Sequence, residues 1–179
     1  MSERTRADEE LLEQVRQGDL GAFDQLYLRY ERRLFGYIRR MVEDRDLAED
    51  LMQDVMLTVI RDRSYDPNKG RFSAWLFTVA RNRCLQQRRH AKVRDESTPP
   101  APAAQTVDPE ETLGRHAQVR TAMAALTQGQ QQLLLLKQVG ELTYREIAQM
   151  YGVAEGTIKS RLHTATNAFR QRLAEIGEG

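Results

Sequence analysis

Apolar residues recur every three or four positions along most of this chain, and no stretch alternates as a half-buried strand would. The pattern therefore predicts an all-α protein. Leu11, Leu12 and Val15 mark a short first helix that stops near Gly18. Asp19 offers an N-cap for a long second helix. Its inward face is Phe23, Leu26, Tyr27, Tyr30, Leu34, Tyr37, Ile38 and Met41. A third helix runs from about Asp46 to Arg61 and buries Leu47, Leu51, Val55 and Val59. Ser64 to Arg71 reads as a loop, broken by Asp66-Pro67 and Lys69-Gly70. Ser73 can cap a fourth helix carrying Trp75, Leu76, Val79 and Ala80, which continues to about Lys92.

The C-terminal part predicts four more helices. The first spans about Glu110 to Leu126, with Glu110 and Glu111 well placed against its N-terminal dipole. The second spans Gln128 to Val139. The last two form a helix-turn-helix. Thr143 can cap the first of them, and Glu146 three residues on can complete a capping box. Ile147 and Ala148 face inward, and Gly152 supplies the positive φ of the turn. Ile158, Leu162, Ala165, Phe169 and Leu173 form the buried stripe of the final helix. Gly156, Ser160, His163 and Asn167 fall opposite that stripe, with Lys159 and Thr164 flanking them. A short polar face of this kind enters a DNA major groove in helix-turn-helix proteins. A helical hairpin within an ordinary core is the alternative that the pattern alone leaves open.

Four of the five prolines lie between Pro99 and Pro109, in a segment without apolar periodicity. It reads as a flexible linker. The expected organisation is thus a helical bundle over residues 1–94, a proline-rich linker over 95–109 and a four-helix domain over 110–179. Charged residues make up 30% of the chain and the mean hydropathy is −0.64, so a soluble protein is expected. Apolar runs are too short for a membrane span, and no signal-peptide core is evident at the N-terminus. The single cysteine, Cys84, excludes an internal disulfide and a cysteine-rich zinc site, which fits a reducing cytoplasm. A net charge of +1 does not argue for nucleic acid, but its distribution is uneven. Asp44 to Asp54 is acidic and Arg81 to Arg94 is basic, so one surface suits a protein partner and another suits phosphates.

Three constellations carry candidate chemistry. Glu49, Asp50, Gln53 and Asp54 share an exposed helix face, which is either a solvated surface or a docking surface. No histidine accompanies these carboxylates, so no metal site is expected. The loop Tyr65 to Phe72, followed by Trp75, Asn82 and the arginines, suits single-stranded nucleic acid. Thr78, Arg81, Arg88 and Lys92 lie on one stripe that can follow a phosphate backbone. Phe72, Trp75 and Phe77 belong at least in part to the core. The helix-turn-helix is the third.

Together these residues resemble a bacterial RNA polymerase sigma factor of the extracytoplasmic-function class. The N-terminal match lies in Gly18-Asp19 with Ala22-Phe23, in Ala48-Glu49-Asp50-Leu51 with Gln53-Asp54-Val55, and in Trp75-Leu76-Phe77 with Ala80-Arg81-Asn82. The C-terminal match is Leu142 to Ala148 with Gly156 to Leu162. The order and spacing of both sets around a proline-rich linker make the resemblance specific. It implies a protein that joins core RNA polymerase, directs it to promoters and helps melt the −10 region, without being a catalyst and without a cofactor. Glu49, Asp50, Gln53 and Asp54 would dock on the β′ clamp helices, with the β subunit as a further contact. Tyr65, Asn68, Lys69, Arg71, Trp75, Thr78, Val79, Arg81, Asn82 and Arg88 would read the −10 element, with a flipped base near Tyr65, Val79 and Asn82. Thr157, Lys159, Ser160, Arg161, His163 and Thr164 would bind the −35 element. The linker would thread toward the active centre and the RNA exit path. An anti-sigma factor that covers these surfaces is a further expected partner.

The chain departs from the family's pattern in two places, at three residues. Ala154 stands where a capping hydroxyl is common, which costs the recognition helix roughly 0.5–2 kcal/mol. Thr164 and Thr166 stand where arginines are frequent, which removes phosphate or base contacts. A free-standing helix-turn-helix regulator is the main rival reading, and it leaves the acidic helix and aromatic loop without a role. A DNA-processing enzyme needs a clustered nucleophile, whereas His90, His116 and His163 are scattered.

Overall fold

A computed structural model describes residues 7–42, 44–95 and 115–177, with side chains left out for 91–95 and 115–116. The expected linker, apart from the backbone of Asp95, lies outside the described residues, as do Glu110 and Glu111. Eight helices and no strand occur among the described residues. The chain divides into two compact units at Ala101/Pro102.

The N-terminal unit contains α1 (Asp8–Arg16), α2 (Leu20–Val42), α3 (Arg45–Arg61) and α4 (Phe72–Asp95). Asp19 caps α2, its carboxylate accepting from the Ala22 amide at 3.1 Å. Gly18 just before it has φ 94°, a conformation that a side chain would strain. Asp44 caps α3 in the same way, accepting from the Leu47 amide at 2.8 Å. The core lies where α2 packs on α1, α3 and α4. Leu26, Leu34, Tyr37 and Ile38 are fully buried there. Tyr30 meets Phe72 edge-on at 5.6 Å, and Tyr37 meets Phe77 at 5.5 Å. These aromatic pairs tie α4 to α2 with geometry that adds to the burial itself.

Several expected positions differ. Phe23, Tyr27 and Leu47 are only half-buried, and the small Ala22 and Ala48 take the innermost positions instead. Alanine there lets neighbouring backbones approach, which pushes bulkier neighbours to the rim. Ser73 is not the cap of α4: the helix begins at Phe72, and the Ala74 and Trp75 amides of its first turn donate to the Arg71 carbonyl. Ser73 is buried and bonds to Tyr30.

The C-terminal unit contains α5 (Arg115–Ala124), α6 (Gln128–Gln138), α7 (Tyr144–Tyr151) and α8 (Glu155–Gly177). All three shorter helices pack on α8. Thr127 with Gln130 and Thr143 with Glu146 form complete capping boxes at α6 and α7. Gln131 closes the end of α5, donating to the carbonyls of Met123 and Leu126 at 2.9 and 3.1 Å. Gly152 ends α7 at φ 63°, and the Val153 amide returns to the Ala148 carbonyl at 3.1 Å. This left-handed cap is what turns the chain from α7 into α8. Ile147, Ala148, Ile158, Leu162 and Ala165 are buried, while Phe169 and Leu173 are only half-buried.

Candidate nucleic-acid and protein interfaces

Glu49, Asp50, Gln53 and Asp54 all project from α3 into solvent. Their helix is held by Ala48, Leu51, Met52, Val55, Met56 and Val59 on the opposite side. Arg45 bridges Glu49 at 3.1 Å, so the acidity of this face resides mostly in Asp50 and Asp54. The same face then turns apolar: Leu57 and Ile60 are 41% and 39% exposed. Leu57 lies i+4 from Gln53 and i+3 from Asp54, and Ile60 follows at i+7 from Gln53, which places both on this face. An exposed apolar end beside carboxylates is suited to a protein partner more than to water alone.

The α3–α4 loop and α4 form a second surface. Asn68, Lys69, Arg71 and Asn82 are exposed, and Trp75, Thr78, Val79, Arg81 and Arg88 are half-buried. Asp66 organises the loop tip, accepting from the Asn68 amide and side chain at 2.9 and 3.0 Å. Those bonds, the backbone one foremost, hold its carboxyl below the usual range. Tyr65 differs from the expectation that it sits against a flipped base, since it is 6% exposed. Its ring meets Phe72 edge-on and Trp75 at a tilt, both at 5.7 Å, and its hydroxyl donates toward Glu9 at 3.0 Å. Burial, then the Glu9 bond, pushes its phenol well above the ordinary value. An aromatic ring gains more from this apolar cluster than from water, so Tyr65 forms the floor of the surface. Phe72 and Phe77 are core, while Trp75 keeps part of its ring outside and donates its indole N–H to Ser64 at 3.4 Å.

Further along α4, Arg81, Asn82, Leu85, Gln86 and Arg89 line an open depression of about 430 Å³. Gln86 and Arg89 were not expected there. Their i+4 and i+7 spacing from Asn82 places them on its face, a relation that selecting a single arginine stripe obscures. Lys92 of that stripe has no described side chain.

On α8, Lys159, Ser160, Arg161, His163 and Thr164 are exposed, and Thr157 is half-buried. Ala154 precedes the helix with only its carbonyl engaged, accepting from Thr157 at 3.0 Å. Lys159 is bound by Glu155 at 2.9 Å and lies 5.8 Å from the Tyr144 ring centre. The Thr164 hydroxyl donates to the Ser160 carbonyl at 3.2 Å, and His163 and Asn167 pair at 3.0 Å. The face offers two cations and several small polar groups, a mixture suited to phosphates and base edges. Among the described residues no cluster of His, Cys, Asp and Glu is able to hold a metal, and no helix is long and apolar enough to cross a membrane.

A unit with an acidic helix and an arginine-bearing helix, followed by a unit with a helix-turn-helix, defines a promoter-recognition subunit. Residues 26–94 match the family described as Sigma-70 region 2, and residues 116–166 match Sigma-70, region 4. The chain is 34% identical over 173 residues to the RNA polymerase sigma factor CarQ of Myxococcus xanthus, covering 92% of this chain and 97% of that protein. It is 31% identical over 160 residues to the ECF RNA polymerase sigma factor RpoE of Cereibacter sphaeroides, covering 87% and 88%. The fold resembles that of the sigma factor RpoE of Bartonella quintana, solved with the anti-sigma factor NepR. That likeness has a TM-score of 0.67 and 28% identity, and it covers 85% of this chain and 96% of that one. CnrH, solved with the cytosolic domain of CnrY, shares the fold at a TM-score of 0.67 and 21% identity, covering 97% and 98%. This chain belongs to the extracytoplasmic-function (ECF) RNA polymerase sigma factors, and it directs RNA polymerase to promoters.

Proposed function

We propose that the chain divides its task among three helix faces. The α3 face of Asp50, Gln53 and Asp54, extended by Leu57 and Ile60, docks on the β′ clamp helices of core polymerase. The α4 face around Asn82, Arg81 and Arg89, with Asn68, Lys69 and Arg71 of the loop, takes the −10 strand and favours its melting. The exposed face of α8 takes the −35 element. Residues 1–94 and 110–179 act as the two working domains, and 95–109 joins them. The chain carries no catalysis of its own and works in the cytoplasm beside polymerase. The similar sigma factor solved with the anti-sigma factor NepR supports an anti-sigma factor as a further partner of these surfaces.

The observation that carries this reading is a separation of charge within one helical unit. Exposed carboxylates lie on α3 and exposed cations and amides on α4, so protein and phosphate need not compete for one surface. Binding to core polymerase tests it. Asp50→Arg and Asp54→Arg leave a solvent-exposed position folded and weaken binding by roughly 2–5 kcal/mol if the contact is buried in the complex. Wild-type affinity in both variants overturns the docking face.

A further inference from the structure

Helix α1 lies outside both matched segments, which begin at residue 26 and residue 116. Its apolar side, Leu11, Leu12 and Val15, is buried, which explains why it folds onto the bundle. Its polar side is engaged as well. Asp8 accepts from the Arg29 guanidinium and from the Tyr30 hydroxyl, which fixes the start of α1 to α2. Glu9, the next residue, accepts from the Tyr65 hydroxyl at 3.0 Å. At the other end, the Arg16 carbonyl accepts from Arg63 at 3.4 Å. Tyr65 and Arg63 both belong to the segment that leads into the loop tip. The loop is thus tied to α1 at two places, and α1 is tied to α2, the helix on which the rest of the unit packs.

We propose that α1 is a strut that sets the α3–α4 loop for reading the −10 strand, with Glu9 as the positioning residue that orients Tyr65. The inference rests on the −10 assignment made above. A hydroxyl has one proton, and the Tyr65 oxygen lies within reach of two acceptors, the Glu9 carboxylate and the Gly70 carbonyl at 3.2 Å. The charged acceptor makes the stronger bond. Loss of Glu9 leaves the hydroxyl only the Gly70 carbonyl and removes the tie that holds the ring to α1. That ring supports Trp75, whose indole N–H reaches Ser64 of the same loop. The hold on Tyr65 therefore bears on the exposed edge of Trp75, at the start of the helix that carries Asn82. Glu9 touches no DNA in this arrangement and acts through Tyr65.

Trp75 is the only tryptophan in the chain, so its fluorescence reports on this loop in the free full-length protein. Glu9→Ala and Tyr65→Phe each raise its accessibility to a soluble quencher. The double variant shows no more than the larger single effect, because both remove the same bond. Glu9→Gln, which keeps an acceptor oxygen, restores most of the wild-type signal. In holoenzyme, Glu9→Ala lowers the preference for the favoured −10 base by about five-fold, a typical coupling between neighbouring groups, with core affinity unchanged. Thermal unfolding by circular dichroism identifies any variant that merely fails to fold, and Tyr65→Phe then carries the test. Additive effects on Trp75, or a shifted Trp75 signal with wild-type base preference, overturn the strut. Asn82→Ala measured alongside separates the failures: if it relaxes the preference and Glu9→Ala does not, only the strut is wrong. If neither variant changes the preference, the −10 assignment and the strut fall together.

Discussion

Glu155 holds the Lys159 ammonium at 2.9 Å, one turn along the exposed face of α8. The bond from Glu155 keeps the lysine protonated and raises its pKa. Lys137 lies 5.0 Å from the centre of the same Tyr144 ring that Lys159 approaches. The first cation of α8 therefore already has protein partners. To reach a phosphate or a guanine, Lys159 exchanges Glu155 for the new acceptor, and Glu155 remains beside the phosphates as a like charge.

If α8 takes the −35 element as proposed, this ion pair should weaken −35 binding. Glu155→Gln removes the competing carboxylate and should strengthen binding of the C-terminal unit within the full chain to −35 duplex. The slope of log affinity against log salt should steepen by up to about one ion. Fluorescence anisotropy over a salt series measures both. Unchanged affinity and slope would mean that Lys159 contacts no DNA.

On the N-terminal unit, Asn82 and the arginines should separate by kind of effect. Asn82→Ala should relax base preference at one −10 position, since its exposed amide suits a Watson–Crick edge. Arg89→Ala should weaken binding for all −10 sequences alike and reduce the salt slope by about one. Single-strand binding by holoenzyme, across base variants and salt, distinguishes the two. A wild-type profile in both variants would move the reading surface off α4.

The caps of the helix-turn-helix give a stability prediction. Thr143 accepts from the Glu146 amide at 3.2 Å, and Glu146 in turn accepts from the Thr143 amide at 2.8 Å. Thr143→Ala removes the hydroxyl half of the box, leaves the backbone amide bond to Glu146 in place, and should cost about 0.5–2 kcal/mol. For a unit of this size that is a fall in Tm of roughly 4–8 °C per kcal/mol. A melt followed by circular dichroism at the helix signal reads it directly.

The caps at Asp19 and Thr143 were legible from sequence because capping is local: each acts within three residues. The buried stripes of α2 and α3 were legible for the same reason, through periodicity. Tyr65 was not, because its burial depends on Phe72, Trp75 and a carboxylate 56 residues away. No periodic rule selects which aromatic of a loop turns inward. Phe169 and Leu173 fit the apolar stripe of α8, yet that helix has 23 residues and its partners only 10, 11 and 8. The partners end before the stripe does. Leu57 and Ile60 are apolar and Arg89 stands beside Arg88 in a basic run, so residue type alone does not mark them as site residues.

Cys84 supplies a pH prediction. It is fully buried, and burial pushes its thiol up to about 12 against the opposing charge of Arg88. The folded chain keeps the proton that the unfolded chain releases near the ordinary value of 9.0. Stability from this group is therefore complete below that value. It should fall by about 1.4 kcal/mol per pH unit as pH rises from the unfolded toward the folded pKa. Tyr30 and Tyr65, both raised chiefly by burial, act in the same direction above their ordinary value of 10.0. Urea titrations of wild type and Cys84→Ala across alkaline pH should show a shallower decline in the variant. Equal declines would mean that the thiol ionises as easily inside the fold as outside.

The central claim is that promoter recognition belongs to the complex with core polymerase, because the docking face, the −10 face and the weakened −35 face are all parts of one task. Affinity for promoter DNA, measured for the full chain with and without core polymerase at matched salt, tests it most directly. The account predicts weak, poorly selective binding by the chain alone and promoter-specific binding once core is added, with Asp54→Arg abolishing the gain. Tight, sequence-specific binding by the chain alone, unaffected by core, would contradict it and would make the protein a free-standing DNA-binding regulator.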